Sequence, residues 1–586
     1  MPTLPIAHSW TIKPEKSKSV NKNDSRPVSR RTVIKVYGAA ALALYLRKLP
    51  AQSASPETAA IAARPIADIS PIDRGLSDVA PAHFFGDEPQ IPHKILWDKP
   101  AYLASLGDKP PAETERVPLV IIGGGISGLS SAWLLRKHSP VVLEQAARFG
   151  GNAQGQSWRG VDYAIGAAYY LQPEQGSGIA RLLAELGVDK LGKSSSESAP
   201  FELDGRIHQD FWAGRTAPKL RGQFLKLSAY FRGILNGKPH PYPDIPIVDP
   251  RQESYIKQLD RESFAAHLQK IAGQPLHLQI EPALEHYCWS AFGGSMTEIS
   301  AAAGLNFYAA EFGSLIALPG GNAAIAERML ERLAELLPPG NLRPGSLVFD
   351  VKVLADGVRV SYASRDGQVH SLHAQAAILA CPKFVAAKLL DDMEAERRAA
   401  IARLKYRSYL VANVLLRGRI AQRFYNFYLL GDGKTDLRQV QTAAQDQGVT
   451  DIVLGNYARP APDTTVLTLY RALPYDGARP ALYADDAYAK FRQEFETQIH
   501  RSILPLLGLA KAELVDLRIA RWGHPLPLAA TGLIADGTVE TLRKPFRDRV
   551  FFVEQDNWAL PAFETSLTEA LTWAPVIDRF LGKEKS

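Results

Sequence analysis

The clearest pattern along the chain is a pair of short apolar runs, residues 119–122 and 141–143. A glycine-rich turn follows the first run, and residues 127–137 between the runs fit the spacing of a helix. Short apolar runs bounded by turn signals are typical of buried strands. The pattern therefore predicts a strand, a helix and a second buried strand.

The turn after the first strand holds Gly123, Gly125 and Gly128 in G-x-G-x-x-G spacing. The first glycine suits a tight turn, the second lets the backbone approach a pyrophosphate, and the third lets helix and strand pack closely. The amides and the positive dipole end of the following helix favour phosphate. Glu144, at the tip of the second strand, suits a ribose diol. The combination predicts a dinucleotide site and leaves NAD and FAD both open.

A second glycine pair, Gly150 and Gly151, stands just after Arg148. This Arg-x-Gly-Gly resembles the flavin-containing amine oxidases and the phytoene-desaturase-like enzymes, in which it wraps the pyrophosphate. Gly166 and Ala167 resemble the stretch that passes the flavin ring in that superfamily. The resemblance implies FAD as the cofactor.

The same resemblance implies further contacts, with Val348 at the adenine and Asp556 at the ribityl chain or phosphate. Asn152 stands where some members attach FAD to a histidine, and no cysteine lies near the C-terminus, so we expect noncovalent FAD. Cys288 and Cys381 show no metal-ligand spacing, and no metal site is predicted. The predicted cofactor residues are Gly123, Gly125, Ile126, Ser127, Gly128, Glu144, Gln145, Arg148, Gly150, Gly151, Asn152, Gly166, Ala167, Val348, Asp556 and Ala562.

The chain of 586 residues exceeds the size that one hydrophobic core usually supports. We predict an α/β fold with a discontinuous Rossmann-like FAD-binding domain and an inserted α+β substrate domain. Alternating apolar residues predict strands at 345–351, 357–362 and 376–382, and helical periodicity predicts helices at 265–271, 322–337 and 488–507. The predicted FAD pieces are 116–190, 319–390 and 516–586, and the predicted substrate pieces are 191–318 and 391–515.

The first 54 residues resemble a twin-arginine export signal. Ser29, Arg30 and Arg31 precede a modest apolar stretch at 36–46, and small residues at 51–54 are candidates for a cleavage site. This predicts export by the Tat translocase to the periplasm, with a basic disordered tail as the alternative. Residues 55–115 are rich in Pro, Ala and Asp, which indicates a linker or a wrapping arm.

The positive charge of the chain belongs to this leader. Residues 1–48 hold ten Lys or Arg against two acids, a net of +8, so the whole-chain net of +7 leaves about −1 for the remainder. We therefore expect no nucleic-acid partner. No apolar run approaches the roughly 20 residues of a membrane-spanning helix, so no integral span is expected.

Four segments narrow the resemblance to bacterial spermidine dehydrogenases: 318–326, 406–417, 521–524 and 555–556. It implies oxidation of a C–N bond of an amine or polyamine, by hydride transfer to flavin N5 and hydrolysis of the imine. Many amine oxidases place a lysine near N5, and the 406–416 strand has none at the matching place. The expected electron acceptor is O₂ or a periplasmic carrier, and the missing lysine favours the carrier.

An aromatic cage suits amine oxidation, because ring faces hold a cation and a dry wall lowers the pKa of an amine. Trp522, Trp558 and Tyr406 are the candidate walls, with ordinary core packing as the alternative for each. His524 is a candidate proton acceptor near neutral pH, with a structural histidine as its alternative.

Two other functions stay open at this point. One is a desaturase or isomerase of an apolar substrate, for which the largely apolar stretch 224–235 would form a membrane-facing rim. A buried amphipathic helix explains the same stretch. The other is a flavin-bound protein without turnover.

Overall fold

The computed structural model describes residues 64–195, 199–420, 424–431 and 448–583. The predicted export signal and its cleavage site lie outside the described residues. Within the described part of the chain, no helix is both long and apolar enough to cross a membrane.

The strands follow one another along the chain in this order: β1 (Ile72–Asp73), β2 (Phe85–Gly86), β3 (Glu113–Ile122), β4 (Val141–Glu144), β5 (Gly155–Trp158), β6 (Val161–Ala164), β7 (Tyr169–Leu171), β8 (Lys193–Ser195), β9 (Phe201–Leu203), β10 (Arg206–His208), β11 (Leu315–Ala317), β12 (Leu342–Pro344), β13 (Ser346–Val353), β14 (Val358–Ser364), β15 (Val369–Leu379), β16 (Tyr406–Arg417), β17 (Asn426–Leu429), β18 (Asp451–Leu454), β19 (Thr464–Leu473), β20 (Glu513–Pro527) and β21 (Val550–Phe552).

The α-helices are α1 (Ile66–Ile69), α2 (Gln90–Leu96), α3 (Lys99–Ser105), α4 (Ile126–Leu134), α5 (Gly178–Glu185), α6 (Arg221–Leu235), α7 (Glu253–Asp260), α8 (Phe264–Ala272), α9 (Ile280–Phe292), α10 (Ala301–Ala310), α11 (Ala323–Leu336), α12 (Lys383–Leu389), α13 (Ala395–Ala402), α14 (Ala478–Leu482), α15 (Ala487–Gln498), α16 (Leu504–Leu506), α17 (Thr538–Arg543) and α18 (Phe563–Lys583). A π-helical turn, Ile499–Ile503, joins α15 to α16.

The first large sheet has the order β12-β4-β3-β15-β14-β13, and β21 pairs with the C-terminal end of β15. Strands β12, β4, β3, β15 and β21 are parallel, whereas β13 and β14 are added antiparallel. The apolar ends of β3 and β4 are buried, as parallel strands covered on both faces require. The predicted α/β fold with a Rossmann-like domain is confirmed.

The second large sheet has the order β10-β9-β17-β18-β19-β16-β20-β2. Its longest strand pair, β16 with β20, runs antiparallel from Tyr406 to Arg417. The predicted FAD piece beginning at residue 516 is therefore corrected. Strand β20 belongs to this second sheet, because its apolar residues pair with β16, and the FAD piece begins only after Pro527.

The predicted helices lie close to their expected positions. Residues 265–271 fall within α8. The Ser263 hydroxyl caps the start of this helix by accepting from the Ala266 N–H, and Gly273, with φ +77°, follows its end. Residues 322–337 form α11, and 488–507 form α15, the π-helical turn and α16.

The segment 64–112 is an arm that pairs with a small three-stranded sheet, β1-β5-β6, and with the edge of the second large sheet. Its strand β1 runs parallel to β5, and its strand β2 runs parallel to β20 at the edge of the second sheet. Residues 86–89 and helix α2, which follow β2, lie along one end of a large cavity. The arm thus links the small sheet to the second large sheet and forms part of the cavity wall.

Candidate active site

A cavity of about 1100 Å³ runs between the two large sheets. One end lies at the carboxyl ends of β3 and β4, beside Glu144 and Val348. The other end lies against the second sheet, beside Tyr428 and Asp451. Ligands of parallel α/β sheets bind at the carboxyl ends of the strands, so the first end is the expected place for a dinucleotide.

The glycines of the first turn are required by close packing. Gly123 has φ +110°, and a Cβ there would lie 2.4 Å from the carbonyl oxygen of Ala380. A Cβ on Gly128 would lie 1.9 Å from the carbonyl oxygen of Gly123. These two positions fix the turn and the approach of helix α4 to the sheet, and no side chain fits at either of them.

Gly125 lines the cavity and differs from Gly123 and Gly128 because a side chain there would meet no close protein atom. A Cβ there would meet no protein atom closer than 3.6 Å, and Gly125 forms a bridge with Gly150 of the second glycine pair. Helix α4 begins directly after Gly125, and no side chain caps its N-terminal amides. Uncapped amides that face a cavity fit a pyrophosphate.

Glu144 ends β4 at the cavity wall. Its carboxylate accepts hydrogen bonds from the Gly124 N–H at 2.6 Å and from the Ala146 N–H at 2.8 Å. Burial raises the pKa of Glu144, while these backbone donors act in the opposite direction. The carboxylate is held rigidly at the position where a ribose diol of a bound dinucleotide would donate to it.

Most of the predicted site residues are brought together along this cavity. Those that line it are Gly123, Gly125, Ile126, Ser127, Glu144, Gln145, Gly150, Gly151, Asn152, Gly166, Ala167, Val348, Tyr406, Trp522, His524, Asp556 and Ala562. Gly128 lies beneath the turn as a packing glycine. Arg148 and Trp558 lie elsewhere.

Arg148 does not take the position that the resemblance implied. One of its amino groups donates to the carbonyl oxygens of Ala67 and Ser70, each at 3.1 Å, and the other lies 3.0 Å from Asp73. All three partners belong to the arm. The guanidinium therefore anchors the arm to the second glycine pair instead of wrapping a pyrophosphate.

Trp558 is likewise not a wall of the cavity. Its indole N–H donates to the Glu569 carboxylate at 2.8 Å, and the Arg543 guanidinium lies 4.6 Å from its ring centroid. Trp522 does line the cavity, with its indole N–H bonded to the carbonyl oxygen of Ile165 at 2.8 Å. Of the two tryptophans, Trp522 is the one that touches the predicted flavin stretch.

The predicted flavin stretch is bound through its backbone to the second sheet. The Tyr470 hydroxyl donates to the carbonyl oxygen of Gly166 at 2.7 Å, and the Tyr425 hydroxyl donates to that of Ala168 at 3.2 Å. A Cβ on Gly166 would lie 2.1 Å from the carbonyl oxygen of Asn152. The stretch is therefore rigid, and its position is coupled to the strands that line the far end of the cavity.

Asp556 lies in a short 3₁₀ turn, Gln555–Trp558, and lines the cavity. Its Oδ2 accepts from the Tyr406 hydroxyl at 2.5 Å and from the Lys383 N–H at 3.0 Å. The Lys383 ammonium is buried and binds the neighbouring Glu554. Tyr406 therefore positions a carboxylate at the cofactor end of the cavity, and its hydroxyl is already engaged there.

His524 lines the cavity between aromatic rings. The Phe384 ring lies 4.5 Å away and the Tyr406 ring 6.3 Å away, measured between centroids. Burial lowers the pKa of His524 to about 3, with Arg479 and His93 adding to the effect. The imidazole is neutral at physiological pH and is a poor general base, because an efficient one has a pKa near the working pH.

The far end of the cavity is an inner chamber lined by tyrosines. They come from β7, α9, β16, β17 and β19, and the set is Tyr169, Tyr287, Tyr409, Tyr428 and Tyr470. Asp451, which begins β18, lies opposite Tyr470 on one neighbouring strand and Tyr428 on the other. A carboxylate is thus surrounded by aromatic rings.

Asp451 is 3% exposed and is only partly paired. Its Oδ2 accepts from the Ser290 hydroxyl at 2.8 Å, whereas its Oδ1 makes no hydrogen bond within the described residues. The Ile452 backbone N–H and the Asn426 amide also lie near enough to lower the pKa of the acid, although the Asn426 amide nitrogen makes no hydrogen bond within the described residues. Burial outweighs these groups and raises the pKa of Asp451 to about 7.

A second acid, Glu311, follows α10 and faces the same chamber. Its Oε1 accepts from the Tyr287 hydroxyl at 3.2 Å and from the Tyr169 hydroxyl at 3.4 Å. Burial raises the pKa of Glu311 to about 7, and Asp451 contributes in the same direction. Two buried acids that repel each other favour a cationic ligand.

Sequence reasoning missed Asp451, Glu311 and the tyrosines around them. The available signals were an acid at the start of an apolar strand and an acid directly after an apolar helix. Such signals do not identify a chamber, because its wall is assembled from elements that lie far apart along the chain.

Comparison with known proteins adds to this geometry. A model of the NAD(P)-binding Rossmann-like domain matches residues 121–186. The chain is 24% identical over 536 residues to the oxidoreductase PigB of Serratia sp., covering 81% of this chain and 76% of that one. It is 28% identical over 252 residues to the flavin-containing amine oxidase A of Canis lupus familiaris, covering 39% of this chain and 44% of that one.

Solved structures share the fold over most of the chain. Putrescine oxidase bound to putrescine superposes with a TM-score of 0.57 at 15% identity, covering 79% of this chain and 99% of that one. The cyclohexylamine oxidase of Brevibacterium oxydans gives 0.57 at 17% identity, covering 80% and 99%. A fatty acid isomerase of P. acnes gives 0.55 at 16% identity, covering 79% and 98%.

The chain shares the fold of these solved amine oxidases, with a Rossmann-like dinucleotide-binding domain. In this fold the two glycine turns, the uncapped start of α4 and Glu144 are the residues that fit the pyrophosphate and ribose of FAD. Cys288 and Cys381 are free thiols, and Cys288 is buried. No cluster of acidic, histidine or cysteine side chains suited to a metal is present among the described residues.

Proposed function

We propose that this protein is an FAD-dependent oxidoreductase that oxidises a C–N bond of an amine or polyamine, with FAD bound noncovalently. The observation that carries the proposal is the inner chamber, where Asp451 and Glu311 lie among tyrosine rings. Carboxylates neutralise an ammonium group and aromatic faces attract it, so the chamber suits a cation better than an apolar chain.

The unpaired oxygen of Asp451 strengthens this interpretation. A buried acceptor without a donor is costly, and a bound ammonium removes that cost by donating to it. An ammonium at Asp451 would also lower the pKa of this acid and so oppose the effect of burial. A cation bound in the chamber is therefore stabilised more than an uncharged ligand would be.

Bound FAD would supply the hydride acceptor for the carbon next to the neutral reacting nitrogen, and water would hydrolyse the resulting iminium ion to a carbonyl product and an amine or ammonia. The remaining tasks belong to the protein. Asp451 and Glu311 hold a cationic nitrogen of the substrate. Trp522 and the tyrosines exclude water, which favours the neutral form of the nitrogen that reacts.

Two acids in one chamber favour substrates with more than one nitrogen. A polyamine keeps one nitrogen charged at the carboxylates while another is oxidised, whereas a monoamine must use its single nitrogen for both purposes. Support for this substrate class comes from the resemblance to spermidine dehydrogenases and from the putrescine oxidase fold.

Two apolar-substrate reactions are weaker candidates. A desaturase or isomerase of an apolar chain would have to place that chain against two buried acids, which costs free energy unless both acids are neutral. The stretch 224–235 does not support a membrane-facing rim for the cavity, because Phe224, Phe231 and Ile234 are buried in the core.

We also propose that the oxidoreductase works in the periplasm, after export through the Tat translocase, and passes electrons to a carrier or to O₂. The twin-arginine motif at Arg30 and Arg31 supports export, and the leader accounts for the net positive charge of the chain.

The test is product formation by the purified FAD-loaded enzyme with spermidine, putrescine, butylamine and an unsaturated fatty acid, using a soluble dye or O₂ as acceptor. The proposal predicts carbonyl product from an amine and a preference for polyamines over butylamine. Turnover of the fatty acid without turnover of any amine would overturn it.

A further inference from the structure

The exposed side of helix α6 carries a concentration of positive charge. Residues 211–243 contain no Asp or Glu and six basic side chains, which are Arg215, Lys219, Arg221, Lys226, Arg232 and Lys238. The chain beyond residue 48 has a net charge of about −1, so this stretch stands apart from the rest of the described surface.

The opposite side of α6 fixes which residues face outward. Phe224, Leu227 and Phe231 are fully buried, and the Phe231 ring lies 4.8 Å from Tyr308 and 5.6 Å from Phe312, measured between centroids. The helix is therefore amphipathic, and its aromatic side packs against α10 and the residues that follow it. Its basic side faces solvent.

Leucines lie exposed among these cations. Leu220 and Leu225 are each 45% exposed, and Leu278 is 68% exposed. The loop with Leu278 is held beside α6, because the Gln223 amide donates to the carbonyl oxygen of Pro275 at 2.9 Å and the His277 N–H donates to Gln223 at 2.8 Å. We call the following set the basic leucine face: Lys219, Leu220, Arg221, Leu225, Lys226, Arg232, Lys238 and Leu278.

No acid neutralises this face within the described residues. Arg221 and Lys226 donate only to backbone carbonyls, those of Ala213 and Ala272. Nearby acids are engaged elsewhere: Asp210 lies 3.6 Å from Arg215, and Glu262 binds Lys270 and His267. The positive charge of the face is therefore available to an anionic partner.

We propose that the basic leucine face docks the protein onto a bilayer that contains anionic lipid. Exposed leucines beside lysines and arginines match an interfacial helix, with the leucines entering the headgroup boundary and the cations binding headgroups. A protein interface is a poorer match, because lysine is depleted at such interfaces and their centres are apolar. Here three of the basic side chains are lysines, and the leucines lie among the cations.

The test uses the full FAD-loaded chain with an environment-sensitive dye on a new cysteine. Leu225→Cys and Leu278→Cys probe the face, and Leu336→Cys on α11, an exposed leucine at 56%, is the matched control. The unmodified chain measures labelling of the native thiols. Vesicles are phosphatidylcholine alone, or phosphatidylcholine with about 30% phosphatidylglycerol.

The proposal predicts a blue shift of the dye at 225 and 278 with anionic vesicles, and none at 336. The shift should disappear with phosphatidylcholine alone and weaken in about 0.5 M salt. Lys219→Gln combined with Lys238→Gln should lower vesicle affinity about tenfold. Neither Lys219 nor Lys238 lines the cavity of the candidate active site, so amine turnover in solution should not change.

The leader has a net charge of +8 and can bind anionic vesicles by itself, so the site of the dye decides the result. Vesicle binding with no shift at 225 or 278, or with equal shifts at 225 and 336, would overturn the proposal. So would a dye at 225 that responds only to a protein partner.

Discussion

The hydroxyl of Ser290, on helix α9, donates to Oδ2 of Asp451, on strand β18, at 2.8 Å. This bond joins helix α9 to the second sheet at the inner chamber. The other oxygen of the carboxylate makes no hydrogen bond within the described residues. The arrangement makes Asp451 the residue on which the proposed substrate class most depends.

Replacing Asp451 by Asn should remove the charge and keep the shape. Truncating a buried charged partner costs about 2–5 kcal/mol, so we expect kcat/KM for a polyamine to fall about 30-fold or more. FAD content should not change, because Asp451 lies at the far end of the cavity. Steady-state kinetics and flavin absorbance measure both quantities.

The matched control for this variant is Asp366→Asn, in an exposed turn. It should leave kcat/KM unchanged. A D451N enzyme with wild-type kcat/KM for every amine would show that the acid does not bind the substrate.

The pH dependence of cation binding follows from the raised pKa values. Asp451 and Glu311 each have a pKa of about 7, so both are mostly protonated at pH 6 and mostly charged at pH 8. Affinity for a cation should therefore rise as pH rises through 7. Tetramethylammonium is the best probe because it has no proton to lose.

Titration of the flavin spectrum with tetramethylammonium between pH 6 and 8 measures this effect. We expect affinity to increase about tenfold over that range in the wild type. In Glu311→Gln the increase should be smaller. Affinity independent of pH in the wild type would contradict the assignment of these acids to cation binding.

Two glycines of the first turn should respond differently to alanine. Gly128→Ala puts a Cβ 1.9 Å from a carbonyl oxygen, so we expect poor folding and low soluble yield. Gly125→Ala meets no protein atom closer than 3.6 Å, so the protein should fold, but the methyl group faces the cofactor. Thermal unfolding and the ratio of flavin to protein separate the two effects, and a Gly125→Ala protein with full FAD content would argue against pyrophosphate binding at this turn.

Trp522 and Trp558 provide a similar contrast. Trp522→Phe removes part of the cavity wall, so we expect a changed flavin spectrum and a higher KM. Trp558→Phe removes a buried bond to Glu569, which should cost about 1–3 kcal/mol of unfolding free energy and leave KM unchanged. If Trp558→Phe raised KM and Trp522→Phe did not, the assignment of the cavity wall would be reversed.

The cofactor end of the cavity could be predicted from sequence because consecutive residues build it. The turn at Gly123, the helix after it and Glu144 lie within one strand–helix–strand unit, and their spacing alone fixes their geometry. Trp522 and Trp558 show where such reasoning stops. They are 7% and 5% exposed, and only their tertiary neighbours distinguish a cavity wall from core packing.

The inner chamber could not be predicted, because Asp451 and Glu311 are 140 residues apart and meet only when a helix packs on the second sheet. The position of Arg148 could not be predicted either. Its partners belong to the arm, a segment whose lack of periodicity gave no information about where it would lie.

The most direct test of the central claim is the absorbance of the bound flavin during anaerobic addition of spermidine, putrescine and butylamine. We expect saturable bleaching by at least one amine, faster with a polyamine than with butylamine and slowed in Asp451→Asn. A flavin that stays oxidised with every amine would contradict it.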